Sequence, residues 1–313
     1  AGIAPATTPP HPMIASVDAL YATSLGLIPN GTAKDDGIAV GAAAAAAMLA
    51  DRVGDGRFGS LTFTPGTGIG EWRLVTATNN NVFGWVGRVK PFTMRSTDQF
   101  RTEGPLPIGS AEYAAEFNEV KALGAKVGSS RTTAQSALAL FVTGNPLPYM
   151  NRALREVAAA KGLSASEQAR LFVNTSMASA DAMIGCFDDK LHWNFWRPQT
   201  AIRLAADDGN PLTEPDATWE ANFPTPGYPD HPSGYNCYSG AMMHSAKAFF
   251  GTDRVSFTLT SPAAGSVPRD YTRFTDVVQD TIDGRIYTGF HFRTPDVQGA
   301  WLGKRAANWV ASH

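Results

Sequence analysis

The feature that most limits how this chain can fold is a helical spacing of apolar residues that recurs along nearly its whole length, with strand-type alternation almost missing. The spacing i, i+3, i+4, i+7 runs through 15–25, 36–53, 110–123, 132–142, 148–160 and 164–186, and again near 200–205, 238–250, 270–282 and 296–311. Residues so spaced line one face of a helix, and that stripe must be buried against a neighbour. Capping chemistry marks some of the starts: Ser164 with Glu167 forms a capping box, and Ser110 precedes Glu112 in a first turn. Strand character is confined to 255–259, with 61–63 as a weaker candidate. The expectation is an all-α fold with little or no β-sheet.

At 313 residues, 43% of them apolar, the chain can bury a sizeable core. It has no repeat of solenoid length and no low-complexity linker, so a single helical domain over 1–313 is expected. Its N-terminal half, 1–163, carries a long loop at 64–109, and its second half is 164–313. Turn residues at Pro9-Pro10, Pro65-Gly66, Pro105, Pro107 and Pro226-Gly227 indicate ordered connections. Basic and acidic residues nearly balance, 26 against 28, without a dense basic run, which argues against nucleic acid and anionic membranes as partners. No apolar run approaches the ~20 residues needed to cross a bilayer. The start Ala1-Gly2-Ile3-Ala4 suits a processed, secreted or periplasmic protein. Two cysteines, Cys186 and Cys237, exclude a disulfide framework and read as buried thiols, with a single bridge between them as the alternative that geometry decides.

Three segments carry chemistry. In the first, Lys190 and Arg197 are seven residues apart among Trp193, Phe195 and Trp196. On one helix that is two turns, so both cations would share a face; two side chains snorkelling past aromatics is the plainer alternative. In the second, Pro232-Ser233-Gly234 opens a helical pattern, and free N–H groups at a helix start favour an anion, although a simple Ser cap gives the same sequence. In the third, Gly289 can end the helix carrying Arg285, turning His291 back toward the same volume, with Asp296 close enough in sequence to hold one imidazole nitrogen.

The order Lys-x6-Arg-Pro, Pro-Ser-Gly, Arg-x3-Gly-x-His resembles the superfamily of vanadium-dependent haloperoxidases and type 2 phosphatidic acid phosphatases across 190–296. The preceding half is similar to the soluble bacterial haloperoxidase-like branch. The resemblance implies a helical bundle of the vanadium haloperoxidase and acid phosphatase type. It also implies an oxyanion cofactor, vanadate, or phosphate in the same place: Lys190, Arg197, Ser233, Gly234 and Arg285 would hydrogen-bond its oxygens, and His291 would bond its central atom. Three cations balance such an anion in a dry pocket.

The implied activity is oxidation of halide by hydrogen peroxide, with a small-molecule substrate. One alternative is a phosphatase or diphosphatase working through a phosphohistidine; another is a repurposed oxyanion binder. The last is motivated by Tyr235, which stands where the family has an acid–base His directly after Pro-Ser-Gly. A phenol with a pKa near ~10 is a poor proton carrier at neutral pH. His231 is the first candidate stand-in, ahead of His192 and His244. Asp296 follows His291 by five residues where four is usual, so it either orients the imidazole or, like Asp283, meets an arginine. Phe187 and Tyr228 are spaced as pocket-shaping aromatics. The sequence leaves open whether two copies pair as a homodimer.

Overall fold

The computed structural model describes residues 13–75, 81 and 83–313; Pro9-Pro10 and the first residues of the chain lie outside them. Whereas the sequence suggests one domain, the packing gathers the chain into two compact units, Ala1–Asp55 and Gly56–His313. The described part of the first unit is two helices, α1 (Met13–Gly26) and α2 (Thr32–Asp51), neither of which buries a residue.

The second unit holds α3 (Ala111–Leu123), α4 (Thr133–Phe141), α5 (Pro146–Ala160), α6 (Ala165–Trp193), α7 (Pro198–Arg203) and α8 (Gly234–Phe250). The strands β1 (Arg254–Leu259) and β2 (Arg269–Arg273) come next, then α9 (Phe274–Tyr287) and α10 (Arg293–Ser312). Among the described residues the only sheet is the antiparallel pair β1–β2, so the fold is all-α. Two local readings change. The helical pattern at 270–282 splits, because 269–273 pairs with β1 and the helix starts only at Phe274. The stretch 61–63 is not a strand; the Phe63 N–H goes to the Asn81 side chain at 2.7 Å.

Local chemistry explains the helix limits. The Ser164 hydroxyl accepts the Glu167 N–H while the Glu167 carboxylate accepts the Ser164 N–H, closing the capping box that starts α6. The helix runs two turns past the expected end, to Trp193, and stops at Asn194, whose φ of 43° is left-handed. A second capping box, Thr132 with Gln135, starts α4.

Three buried carboxylates on α6 tie down the long loop. Asp181 accepts the N–H groups of Phe92, Thr93 and Met94 at 2.6, 2.8 and 3.0 Å. Asp188 pairs with Arg88 and Arg101, and Asp189 accepts both the N–H and the hydroxyl of Thr102. A loop without regular structure can be buried only if its polar groups find partners, and α6 supplies them.

Helices α8 and α10 touch through their backbones. A Cβ on Gly303 would lie 2.3 Å from the Cys237 carbonyl oxygen, one on Gly240 2.5 Å from that of Ala300, and one on Gly299 2.7 Å from that of Ser233. Three glycines therefore permit the close crossing that sets the start of α8 beside the start of α10, where Asp296 lies. One apolar cluster, including Phe187, Cys186, Cys237, Ala241 and Leu302, packs α6, α8 and α10 together; both cysteines are free and buried there.

Candidate active site

Lys190 sits in the last turn of α6 and Arg197 caps α7, so the two cations are not on one helix as the sevenfold spacing suggested. The break at Asn194 turns the chain, and both side chains still enter one buried volume: each is fully inaccessible, and each lies over the ring of Tyr228, at 5.2 and 5.1 Å from its centroid. Lys190 Nζ donates to the carbonyls of Pro229 and Asp230 at 2.7 and 3.0 Å, leaving one of its three N–H bonds uncommitted. Arg197 donates through Nε to the Tyr228 carbonyl at 2.9 Å and through Nη1 to that of Phe290 at 2.9 Å.

His291 lies in the short turn between α9 and α10, which the positive φ of Gly289 (78°) makes possible. Its Nε2 is 3.0 Å from Arg197 Nη1, and its Nδ1 is 2.5 Å from Asp230 Oδ1. Burial holds this imidazole well below its ordinary pKa, and Arg197, Arg285 and Lys190 push it further the same way. The ring is neutral. Burial also lowers the Lys190 ammonium to about 8 and raises the Asp230 carboxyl to about 7, the latter against the pull of Arg197 and Lys190.

Arg285, in the last turn of α9, reaches the volume from another side. Its Nη1 donates to the Val142 carbonyl at 3.1 Å and its guanidinium lies over the rings of Tyr235 and Phe290, at 4.9 and 4.6 Å. It also lines a cleft of about 410 Å³ walled by Phe223, Pro224, Pro226, Tyr228 and Tyr235.

Ser233 caps α8 without a side-chain bond to a backbone N–H of the helix, and Gly234 is the first helical residue. The Ser233 N–H goes instead to the Pro295 carbonyl at 2.9 Å. The Ser233 hydroxyl accepts Asn236 Nδ2 at 3.3 Å, and the same amide nitrogen donates to Asp296 Oδ1 at 2.7 Å. The carboxylate against His291 is thus Asp230, and Asp296 serves the start of α8.

Tyr235 projects toward Arg285 and shares a hydrogen bond with the hydroxyl of Tyr149. Burial pushes its phenol up to about 12. His231, fully buried, places Nε2 2.9 Å from the Thr102 hydroxyl, which in turn donates to Asp189 at 2.6 Å. The single O–H of Thr102 being spent on Asp189, His231 donates from Nε2 and keeps a lone pair on Nδ1, which has no partner among the described residues. Burial lowers its pKa to about 3. His192 lies edge-on to Trp193, and His244 neighbours Lys247 and Lys304 on the later turns of α8 and α10. Asp283 pairs with Arg293 at 2.9 Å. Phe187 and Tyr228 pack together at 5.6 Å.

Sequence reasoning did not pick out Asp230, Thr102, Asp189 or Tyr149. Asp230 left a signal: it is the one charge in the stretch Phe223 to Gly234, otherwise built of proline, glycine, aromatic and neutral polar residues. Thr102 and Tyr149 come from distant segments and left none.

The buried Arg197 Nη2 and Arg285 Nε have no acceptor among the described residues. Each such donor costs about 1–3 kcal/mol unless a partner arrives. Three buried cations with spare donors around a neutral imidazole therefore fit a small tetrahedral oxyanion, vanadate or phosphate. No group of three His, Cys, Asp or Glu side chains that could hold a bare metal ion occurs among the described residues. Likewise, no described helix is long and apolar enough to cross a membrane.

The fold and this pocket define a helical protein with three buried cations gathered around one imidazole. Residues 170–313 match the family described as the VCPO second helical-bundle domain. The vanadium chloroperoxidase of Curvularia inaequalis is 25% identical over 200 residues, covering 51% of this chain and 32% of that protein. A solved bacterial vanadium-dependent iodoperoxidase superposes with a TM-score of 0.68 at 24% identity, over 80% of this chain and 62% of the other. The apo form of a bacterial vanadium-dependent chloroperoxidase gives 0.64 at 16%, over 82% and 63%. At these identities the two structures speak to the fold. The chain spans about a third of the length of the curated relative and about six tenths of these structures. Residues 170–313 thus match the helical-bundle domain of that family, and the fold is that of the vanadium haloperoxidases.

Proposed function

We propose that the chain binds vanadate and oxidises halide with hydrogen peroxide. The observation that carries this reading is the convergence of Lys190, Arg197 and Arg285 on the neutral ring of His291, with donors of both arginines unspent. In this role Arg197, Arg285 and Lys190 hold the oxyanion's peripheral oxygens and balance their charge, Ser233 and Gly234 meet it at the start of α8, and His291 offers a lone pair to its centre. Bound vanadate supplies a Lewis-acidic centre that makes hydrogen peroxide electrophilic toward halide.

The remaining work falls to protein groups. The bare Nδ1 of His231 supports it as a hydrogen-bond acceptor standing in for the missing His; with a pKa of about 3 it stays neutral and orients a donor rather than carrying a proton near neutrality. Tyr235, held protonated, closes the cleft wall rather than exchanging a proton. The apolar lining of the cleft suits a small, weakly hydrated substrate arriving beside Arg285.

Tyr235 also favours a second reading, in which the site binds the oxyanion and has lost the parent turnover, or cleaves only phosphate esters whose leaving group needs no proton. The test is the full chain loaded with vanadate, given hydrogen peroxide with bromide or iodide and a halogen-accepting dye, across acid and neutral pH. Halide-dependent bleaching supports haloperoxidase activity. Its absence, with vanadate demonstrably bound, assigns the second reading, and phosphate release from an aryl ester then separates its two forms.

A further inference from the structure

We infer that the carboxylate positioning His291 is Asp230, from the loop before Pro232-Ser233-Gly234, and that Asp296 has been released to hold the start of α8. The inference rests on reading His291 as the central ligand of the oxyanion site.

The contact itself requires a proton. Nδ1 and Oδ1 stand 2.5 Å apart, closer than two lone pairs tolerate, so a hydrogen lies between them. An ionised carboxylate can only accept, so beside the Asp230 anion the hydrogen belongs to Nδ1 and the neutral ring keeps its lone pair on Nε2. This is the tautomer a histidine needs to bind a metal centre or attack phosphorus.

Asp230 is built into this position. Its N–H donates to the Phe195 carbonyl at 2.9 Å, and Arg197 Nη1 lies 3.4 Å from Oδ1. Asp296 is engaged elsewhere: its Oδ1 takes Asn236 Nδ2, which also donates to the Ser233 hydroxyl at 3.3 Å, and Asn236 Oδ1 takes the Thr281 hydroxyl at 2.7 Å. The additional residue between His291 and Asp296 carries that carboxylate into the first turn of α10, where Gly299 lets α10 approach the Ser233 backbone.

The experiment is nitrogen NMR of the full chain labelled with 15N-histidine, in mildly alkaline buffer without vanadate. The His291 signals are identified by their loss in His291→Gln. Wild type is expected to show the Nδ1–H tautomer, Asp230→Ala to lose its dominance, and Asp296→Ala to leave it unchanged. An Nε2–H tautomer in wild type, or an unaltered His291 in Asp230→Ala, overturns the inference. The wild-type spectrum decides even if Asp230→Ala does not fold, and none of it depends on vanadate binding. In a vanadate titration Asp230→Ala should bind about tenfold or more weakly than wild type. Tighter binding would make Asp230 a competitor for the cradle and also overturn the inference.

Discussion

The guanidinium of Arg285 lies over the ring of Tyr235, 4.9 Å from its centroid, at the position where the superfamily places an acid–base histidine. A cation so placed disfavours protonating an imidazole there, but a neutral phenol loses nothing by it. Arg285 thereby keeps a spare donor for the oxyanion while Tyr235 is pinned by Tyr149.

Because the Tyr235 phenol is pushed up to about 12, it exchanges no proton near neutrality. Tyr235→Phe should leave the turnover number within about threefold and cost about 1 kcal/mol of stability for the lost bond to Tyr149. Tyr235→His, whose imidazolium Arg285 disfavours, should raise turnover by only about tenfold, less than the ordinary worth of a positioned acid–base group. Steady-state kinetics and denaturant unfolding measure both.

Arg197 meets Asp230, the Phe290 carbonyl and His291 with no access to water. Arg197→Ala should lower unfolding free energy by about 3–5 kcal/mol, because it strands a buried carboxyl. The double variant Arg197→Ala with Asp230→Ala should recover part of that loss. Chemical denaturation of the three proteins, compared as a cycle, tests it.

The helix crossing that sets Ser233 beside Asp296 leaves no room for a methyl group. Gly303→Ala puts a Cβ 2.3 Å from the Cys237 carbonyl oxygen and should cost about 1–3 kcal/mol. Calorimetric melting should fall by several degrees, and oxyanion affinity should weaken as α8 is displaced. Gly162→Ala, with nothing within 4 Å of its Cβ, should cost only the strain of its positive φ, 66°, and leave affinity untouched.

Burial lowers the Lys190 pKa from 10.5 to about 8. The protonated ammonium is the form that holds an anion, so affinity is complete below about 8 and declines as pH rises through it, by up to about tenfold per pH unit. A bound anion raises the ammonium's pKa, so the decline begins near the free-site value of about 8 and levels off at the higher value of the complex. Above about pH 8 phosphate is almost wholly the dianion, so the decline there belongs to the protein. Calorimetric titration with phosphate should show the decline, and Lys190→Gln should remove it.

The helices were legible because each carries a 3.6-residue stripe and several announce their starts with a cap, as Ser164 and Ser110 do. The hairpin strand 269–273 was not, since Arg269-Asp-Tyr-Thr-Arg273 shows its character only when paired with β1. In the site, the cations and His291 could be named from spacing, but their geometry could not. Lys190 and Arg197 converge through a left-handed break at Asn194, not along one helix. The exchange of roles between Asp296 and Asp230 depends on where α10 begins, which spacing by itself leaves ambiguous. Thr102 reaches His231 from 129 positions away through a loop whose path is dictated by the carboxylates of α6.

The central claim is that Lys190, Arg197 and Arg285 form one cradle around His291 for a tetrahedral oxyanion. Isothermal titration of the full chain with orthovanadate tests it most directly, alongside Arg285→Gln and His291→Ala. One vanadate per chain is expected in wild type, with binding weakened about tenfold or more in each variant. No uptake by wild type, or equal uptake by Arg285→Gln, would contradict the account.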